Sequence, residues 1–343
     1  MPRPGAGQDY RPEIDSLRAY AAILVALSHW YPRFARFHNW GMDGVYVFFV
    51  ISGFVITRGL LRVDVSRGVG RSLKSFYARR ALRIWPAYYC SMAMICVLFP
   101  RDVSMRTMAW HAVFCSNILM SIKRAFVFPV HYWSISVEEQ FYLLWPLAVF
   151  FTSRRSFERL CVALLFLAPA SRVLLDHATG GNFQLAYYSL VSNADCLAAG
   201  AAYALYEQRI ASAGKGARRA FTLLPSAGAV LFLAVLAAHG PLDSLEGTAV
   251  AMIALGLIEL GHTWEPLKGV LMNGATRGLG RISYGFYLYQ FILGSYPWAD
   301  RAEKAVPPGP FVLLCFALTL AASLVSWYAL EKPFLRWKNR LTL

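Results

Sequence analysis

Apolar runs recur along the chain from residue 14 to residue 331, and no soluble fold accommodates so many of them. Eleven can be drawn, at roughly 14–32, 43–61, 84–100, 107–121, 133–152, 160–176, 184–206, 221–238, 247–262, 282–298 and 310–330. A backbone in lipid must satisfy its own hydrogen bonds, so only helices or a closed barrel can cross. The alternating pattern of barrel strands is absent. The predicted fold is all-α and integral to the membrane, as a single domain over residues 1–343. Composition agrees. Charged residues make up 15% of the chain, against roughly 25% in an ordinary soluble domain. No polar stretch is long enough to form an appended extracytoplasmic domain.

The charges set the number of crossings. The run at 107–121 is short and contains His111, Ser116 and Asn117, whereas a crossing needs about 20 predominantly apolar residues. If this run does not cross, about ten transmembrane helices remain and both termini are cytoplasmic. The inside segments then hold 25 of the 34 Lys and Arg residues, as the positive-inside bias demands. If it crosses, every later loop inverts against its charge. The expectation is one short re-entrant or interfacial helix near 107–121. The net charge of +15 is thereby assigned to orientation and anionic head groups, with the bilayer as partner and no nucleic acid. Glu13 and Asp15 abut the first run and no small-residue cleavage site follows, so that run reads as an uncleaved span. The six Cys show no CxxC pair and no metal spacing, so no metal is expected. Arg outnumbers Lys 27 to 7, which points to a GC-rich bacterial source.

Polar groups inside spans are costly and therefore functional candidates. Arg18 and His29 lie eleven residues apart in the first span. That is about three turns, so both side chains share a face roughly 16 Å apart along the axis. A neutral imidazole is the usual general base for a hydroxyl; a snorkelling anchor and an interhelical hydrogen bonder are the plainer alternative. The segment from His131 to Tyr142 carries Glu138 and Glu139 side by side. One is expected to face the bundle and the other the water interface. Ser134, Glu138 and Tyr142 share a face, and by depth Glu138 could meet His29. Arg71, Lys74, Arg79, Arg80 and Arg83 precede the third span. Clustered guanidiniums suit phosphates, though orientation alone explains the outer ones. Ser52-Gly53 allows close helix approach. Asp195 is a lone intramembrane acid, readable as a hydrogen-bonded polar knot. His38, His111, His177, His239 and His262 show no ligand geometry and receive no role.

Together these strings resemble the acyltransferase-3 family of membrane O-acyltransferases. The resemblance rests on Arg11-Pro12-Glu13-Ile14-Asp15-Ser16-Leu17-Arg18, the Arg18-to-His29 spacing, Phe48-Phe49-Val50-Ile51-Ser52-Gly53-Phe54, and Arg79-Arg80-Ala81-Leu82-Arg83-Ile84-Trp85-Pro86. It continues through Trp133-Ser134-Ile135-Ser136-Val137-Glu138-Glu139-Gln140-Phe141-Tyr142, Ile282-Ser283-Tyr284-Gly285-Phe286-Tyr287-Leu288-Tyr289 and Glu331-Lys332-Pro333. It implies ten spans, an acyl-CoA donor (commonly acetyl-CoA), and acylation of a hydroxyl on a carbohydrate or glycosylated acceptor. It also implies that His29 is essential and that Arg18, Arg80, Arg83 and Glu138 serve the site. Tyr46 and Gln290 depart from the family's usual residues.

The expected activity is O-acyl transfer at a bacterial inner membrane. His29 acts as general base, and Glu138 orients or charges the imidazole. Arg80 and Arg83 hold the donor phosphates, and the pantetheine arm threads inward along the Arg18 face. Arg79, Ser52, Trp133, Ser136 and Tyr142 are further donor- or substrate-binding candidates. A membrane transporter or flippase for a glycan or lipid-linked intermediate is the alternative, since buried Arg, His and Asp also serve proton-coupled carriers.

Overall fold

In the computed structural model, residues 10–31, 33–65, 68–212, 214–238, 240, 242–294 and 307–340 are described, and helices are the regular elements among them. The first expected run is α1 (Pro12–Trp30), opened by a proline at a position whose N–H would have no helical partner. It is followed by α2 (Trp40–Leu60) and α3 (Val69–Leu98). Two short helices come next, α4 (Met105–Ala112) and α5 (Ser116–Lys123). The bundle continues with α6 (Tyr132–Phe151), α7 (Arg154–Ala178), α8 (Phe183–Tyr188), α9 (Ala194–Ser212) and α10 (Gly214–Ala238). It ends with α11 (Glu246–Thr263), α12 (Glu265–Leu271), α13 (Gly274–Arg281), α14 (Ser283–Gly294), α15 (Pro308–Ser326) and α16 (Lys332–Arg340). A π turn, Trp327–Glu331, joins the last two. Five helical segments among the described residues are long and apolar enough to cross a membrane: Trp40–Leu60, Val69–Leu98, Arg154–Ala178, Asp243–Thr263 and Pro308–Trp337.

Three expectations are corrected in detail. The run at 107–121 is two short helices, not one. Each has 8 residues, or about 12 Å of rise, too little to cross. The chain breaks at Phe114, whose φ of 55° is left-handed, and α5 packs against α6 and α8. Second, the third helix begins at Val69, so the basic run is helical and continuous with the apolar segment. Third, the run at 184–206 is split between α8 and α9. There the buried Asn193 donates to the carbonyls of Tyr187 and Ser189, both at 2.8 Å, giving that stretch an alternative to helical bonding.

The centre of the bundle is the crossing of α2 and α9, where glycines allow near backbone contact. A Cβ on Gly53 would lie 2.0 Å from the Leu197 carbonyl oxygen, and one on Gly200 would lie 2.0 Å from that of Val50. No larger residue fits either position without separating the helices. Against this crossing sits a buried ion pair. Arg172 of α7 donates to Asp195 of α9 at 2.7 Å, with both side chains fully shielded. Thr248 of α11 donates to the other Asp195 oxygen at 2.8 Å. Asp195 is thus the polar knot joining three helices.

Candidate active site

Helix α1 runs past two cavities and contributes to both. The first, of about 90 Å³, is lined by Arg18 of α1, Ser52 of α2, Arg80 and Arg83 of α3, Glu138 and Tyr142 of α6, and Tyr284 and Tyr287 of α14. The second, of about 490 Å³, is lined by Ser28 and His29 of α1, Asn39, Phe126, Phe128, His131, Trp133, Tyr188 and Phe291. The three-turn spacing of Arg18 and His29 therefore places them in separate chambers. Val45 and Tyr287 line both chambers and form part of the wall between them.

The smaller chamber gathers three guanidiniums around one carboxylate. Glu138 accepts from Ser52 Oγ at 2.5 Å on one oxygen and from the Tyr142 hydroxyl at 3.1 Å on the other. Ser52 and Tyr142 are themselves 3.2 Å apart, so Glu138 is fixed by two hydroxyls from different helices. Arg80 lies over the ring of Tyr142, 5.5 Å from its centroid. Arg18 is 3.7 Å from Asp15, one turn away. With Arg18, Arg80 and Arg83 set against Glu138 alone, the lining carries a formal excess of positive charge and suits an anionic group.

Two sequence candidates line neither chamber. Arg79 donates to Ser75 of its own helix and lines a separate depression with Arg80 near Leu60 and Phe76. Arg79 shares a helix face with Arg83, four residues on, but its guanidinium is turned back one turn to Ser75 and so stays out of the chamber. Ser136 lies two residues from Ser134 and so faces the other side of α6. It donates to the Tyr132 carbonyl at 3.0 Å and accepts from the Ser116 N–H at 3.2 Å, clasping α5 to α6. It takes no part in lining either chamber. Glu139 faces α3, where Trp85 donates to it at 3.3 Å.

The expected contact between Glu138 and His29 is not made. The partner of His29 is Gln290 of α14, with Nδ1 and Oε1 2.9 Å apart. The reason is depth. His131, at the start of α6, lines the larger chamber with His29. Glu138 lies seven residues further along, about 10 Å deeper. When Nδ1–H donates to Gln290, the neutral imidazole keeps its Nε2 lone pair for a proton. Gln290 is in turn anchored through its carbonyl, which accepts from Trp30 Nε1 at 2.9 Å in the buried contact between α1 and α14. The departure at residue 290 thus supplies the support that Glu138 was expected to give.

The larger chamber is walled by aromatic faces. Trp133 and Tyr188 stack at 4.2 Å between centroids with an interplanar angle of 11°. Trp133 therefore belongs to this chamber and not to the basic one. The ring of Phe291 touches both histidines, at 5.1 Å from His29 and 4.8 Å from His131. His131 is buried, and neither ring nitrogen has a hydrogen-bond partner. In the sequence a histidine at a helix start reads as part of an aromatic belt; only the fold sets it in one chamber with His29.

A family profile described as an acyltransferase domain matches residues 11–328. The chain is 28% identical over 360 aligned residues to YrhL of Bacillus subtilis (strain 168), covering 94% of this chain and 55% of that protein. It is 28% identical over 309 residues to the peptidoglycan O-acetyltransferase OatA of Listeria monocytogenes, covering 82% of this chain and 49% of that one. With the O-acetyltransferase OatA of Staphylococcus aureus (strain NCTC 8325 / PS 47) it shares 32% identity over 190 residues, covering 50% and 31%. The chain spans about half the length, or less, of these relatives. No solved structure matches.

Proposed function

The chain belongs to the acyltransferase-3 family, and from that premise we propose that it moves an acetyl or other short acyl group from acyl-CoA to a carbohydrate hydroxyl, with His29 as general base. Peptidoglycan is the first acceptor to try, because the Listeria relative is named for it. The observation that carries the reading is the imidazole of His29, held by Gln290 in the wall of an aromatic chamber beside a separate basic one.

The two chambers divide the substrates by size and charge. At about 490 Å³ the larger one falls within the roughly 300–1,000 Å³ of small-molecule sites. Flat aromatic walls with electron-rich faces suit the C–H faces of a sugar ring. At about 90 Å³ the basic chamber holds only an acyl end or a single anionic group. The donor's nucleotide therefore stays at its mouth, drawn by Arg18, Arg80 and Arg83. In this reading the basic chamber opens to the cytoplasm and the aromatic one to the outer side of a bacterial inner membrane. Both chain ends are then cytoplasmic.

In the reaction, Nε2 of His29 takes the proton of the acceptor hydroxyl as its oxygen attacks the thioester carbonyl. The new C–O bond forms, the C–S bond breaks, and the proton passes to the departing thiolate. Tyr287, between the chambers and 2.6 Å from the Ser134 hydroxyl, must turn aside for the acyl group to meet the alcohol. Arg79 and Ser136 have no part in this scheme. The test is purified protein in vesicles with labelled acetyl-CoA and a muropeptide or other saccharide acceptor. Label in an ester that mild base releases supports the reading. Acceptor crossing the vesicle membrane without consuming donor contradicts it.

A further inference from the structure

Outside the lining of both proposed substrate chambers but beside the aromatic one, His38, Asp43 and Glu246 bring three donor groups together from distant parts of the chain. Their candidate ligand atoms all lie within 4.8 Å of one another. His38 closes the segment before α2, Asp43 sits in the first turn of α2, and Glu246 opens α11. His38 Nε2 is 2.7 Å from Asp43 Oδ2 and 4.0 Å from Glu246 Oε1. The 2.7 Å contact between His38 and Asp43 is a hydrogen bond that opens by about 0.7 Å to admit an ion. A tetrahedral zinc ion with bonds of about 2.0–2.2 Å spaces its ligand atoms by about 3.4 Å, inside the range these pairs span.

A second observation points to a ligand. Asp43 is only 6% exposed, and its second oxygen, Oδ1, is buried without a hydrogen-bond partner. A buried carboxylate with one oxygen unpartnered, clustered with a second carboxylate and an imidazole, suits a cation. The surroundings favour a defined site. Trp40 and Phe232 pack edge-on against the His38 ring, at 4.7 and 5.1 Å between centroids, and Glu246 is 18% exposed, leaving a path from solvent.

We propose that His38, Asp43 and Glu246 bind one divalent transition-metal ion, zinc being matched to one imidazole nitrogen and two carboxylates. Two carboxylates and a neutral imidazole balance its charge. The ion ties the segment before α2 to the start of α11. Asn39, Gly41 and Met42, next to these ligands, line the aromatic chamber, so the metal sets the shape of that chamber's rim without entering the transfer chemistry. Sequence spacing concealed the site because Glu246 joins the other two only through the packing of α11 on α2.

The test uses tag-free protein in detergent, stripped with chelator and dialysed against zinc chloride, with bound metal counted by mass spectrometry. Wild type is expected to hold one zinc per chain. His38→Gln and Glu246→Gln are each expected to weaken zinc binding by more than about tenfold, the loss typical of even an outer-shell partner. Wild type holding no zinc above the buffer blank overturns the proposal, as do two folded variants that bind like wild type. Should either variant fail to fold, wild type still decides. Zinc is expected to shield His38 from diethyl pyrocarbonate in peptide mapping, and modification at an unchanged rate overturns the assignment.

Discussion

Gln290 ties the His29 imidazole to the contact between α1 and α14. Its side-chain oxygen holds one nitrogen of His29, and its backbone carbonyl is fixed by Trp30. One hydrogen bond of this kind contributes on the order of 1 kcal/mol. Gln290→Ala is therefore expected to slow transfer by about five- to tenfold, with the Michaelis constant for acyl-CoA unchanged, as steady-state kinetics would show. An unchanged rate would remove Gln290 from the site. The arginines divide just as sharply. Arg80 and Arg83 line the basic chamber, whereas Arg79 turns to Ser75. The double change Arg80→Ala, Arg83→Ala is expected to raise the Michaelis constant for acyl-CoA at least tenfold, charge-assisted contacts of this kind contributing about 1.5–3 kcal/mol each. Arg79→Ala is expected to leave it within about twofold, as for a half-exposed charge with little net effect. Equal effects at the three arginines would contradict this division.

Two helix contacts position these groups, and each can be broken separately. The crossing of α2 and α9 holds Ser52 in place beside Gly53, whose Cα faces the Leu197 carbonyl. Gly53→Val is expected to destabilise the fold by at least the 1–3 kcal/mol typical of overpacking, seen as a lower midpoint in thermal unfolding. A midpoint equal to wild type would contradict the close crossing. The second contact is the clasp of α4 and α5 under α6. His111 bonds the Ser116 hydroxyl at 2.6 Å and the Phe128 carbonyl at 3.1 Å. Burial outweighs the Phe128 hydrogen bond and pushes His111 down to about 4. The unfolded chain takes up this proton near pH 6.5, and the folded one does so only near 4. Stability is then full above about pH 6.5 and falls as pH drops towards 4. A thermal-unfolding series over pH 7 to 4 is expected to show that loss and His111→Gln to remove this component; an identical pH dependence in the variant would contradict it.

At the scale of the molecule, the described helices frame two adjoining chambers, one basic and one aromatic, with α1 contributing to both. Much of that was legible in the chain. Each apolar run expected to cross carries a helix among the described residues, because apolar length is written locally. The shared face of Ser134, Glu138 and Tyr142 was equally legible, since 3.6-residue periodicity decides it. What sequence could not supply was depth across helices. Nothing in the spacing says that His131, and not Glu138, shares a chamber with His29, or that Gln290 meets His29 from another helix. The ion pair of Arg172 with Asp195 was hidden for the same reason. The most direct test of the central claim is the transfer rate of His29→Ala, measured with and without added imidazole. The rate is expected to fall about 10²–10⁴-fold, with part of it restored by imidazole diffusing into the aromatic chamber. A variant that transfers at the wild-type rate would contradict that claim.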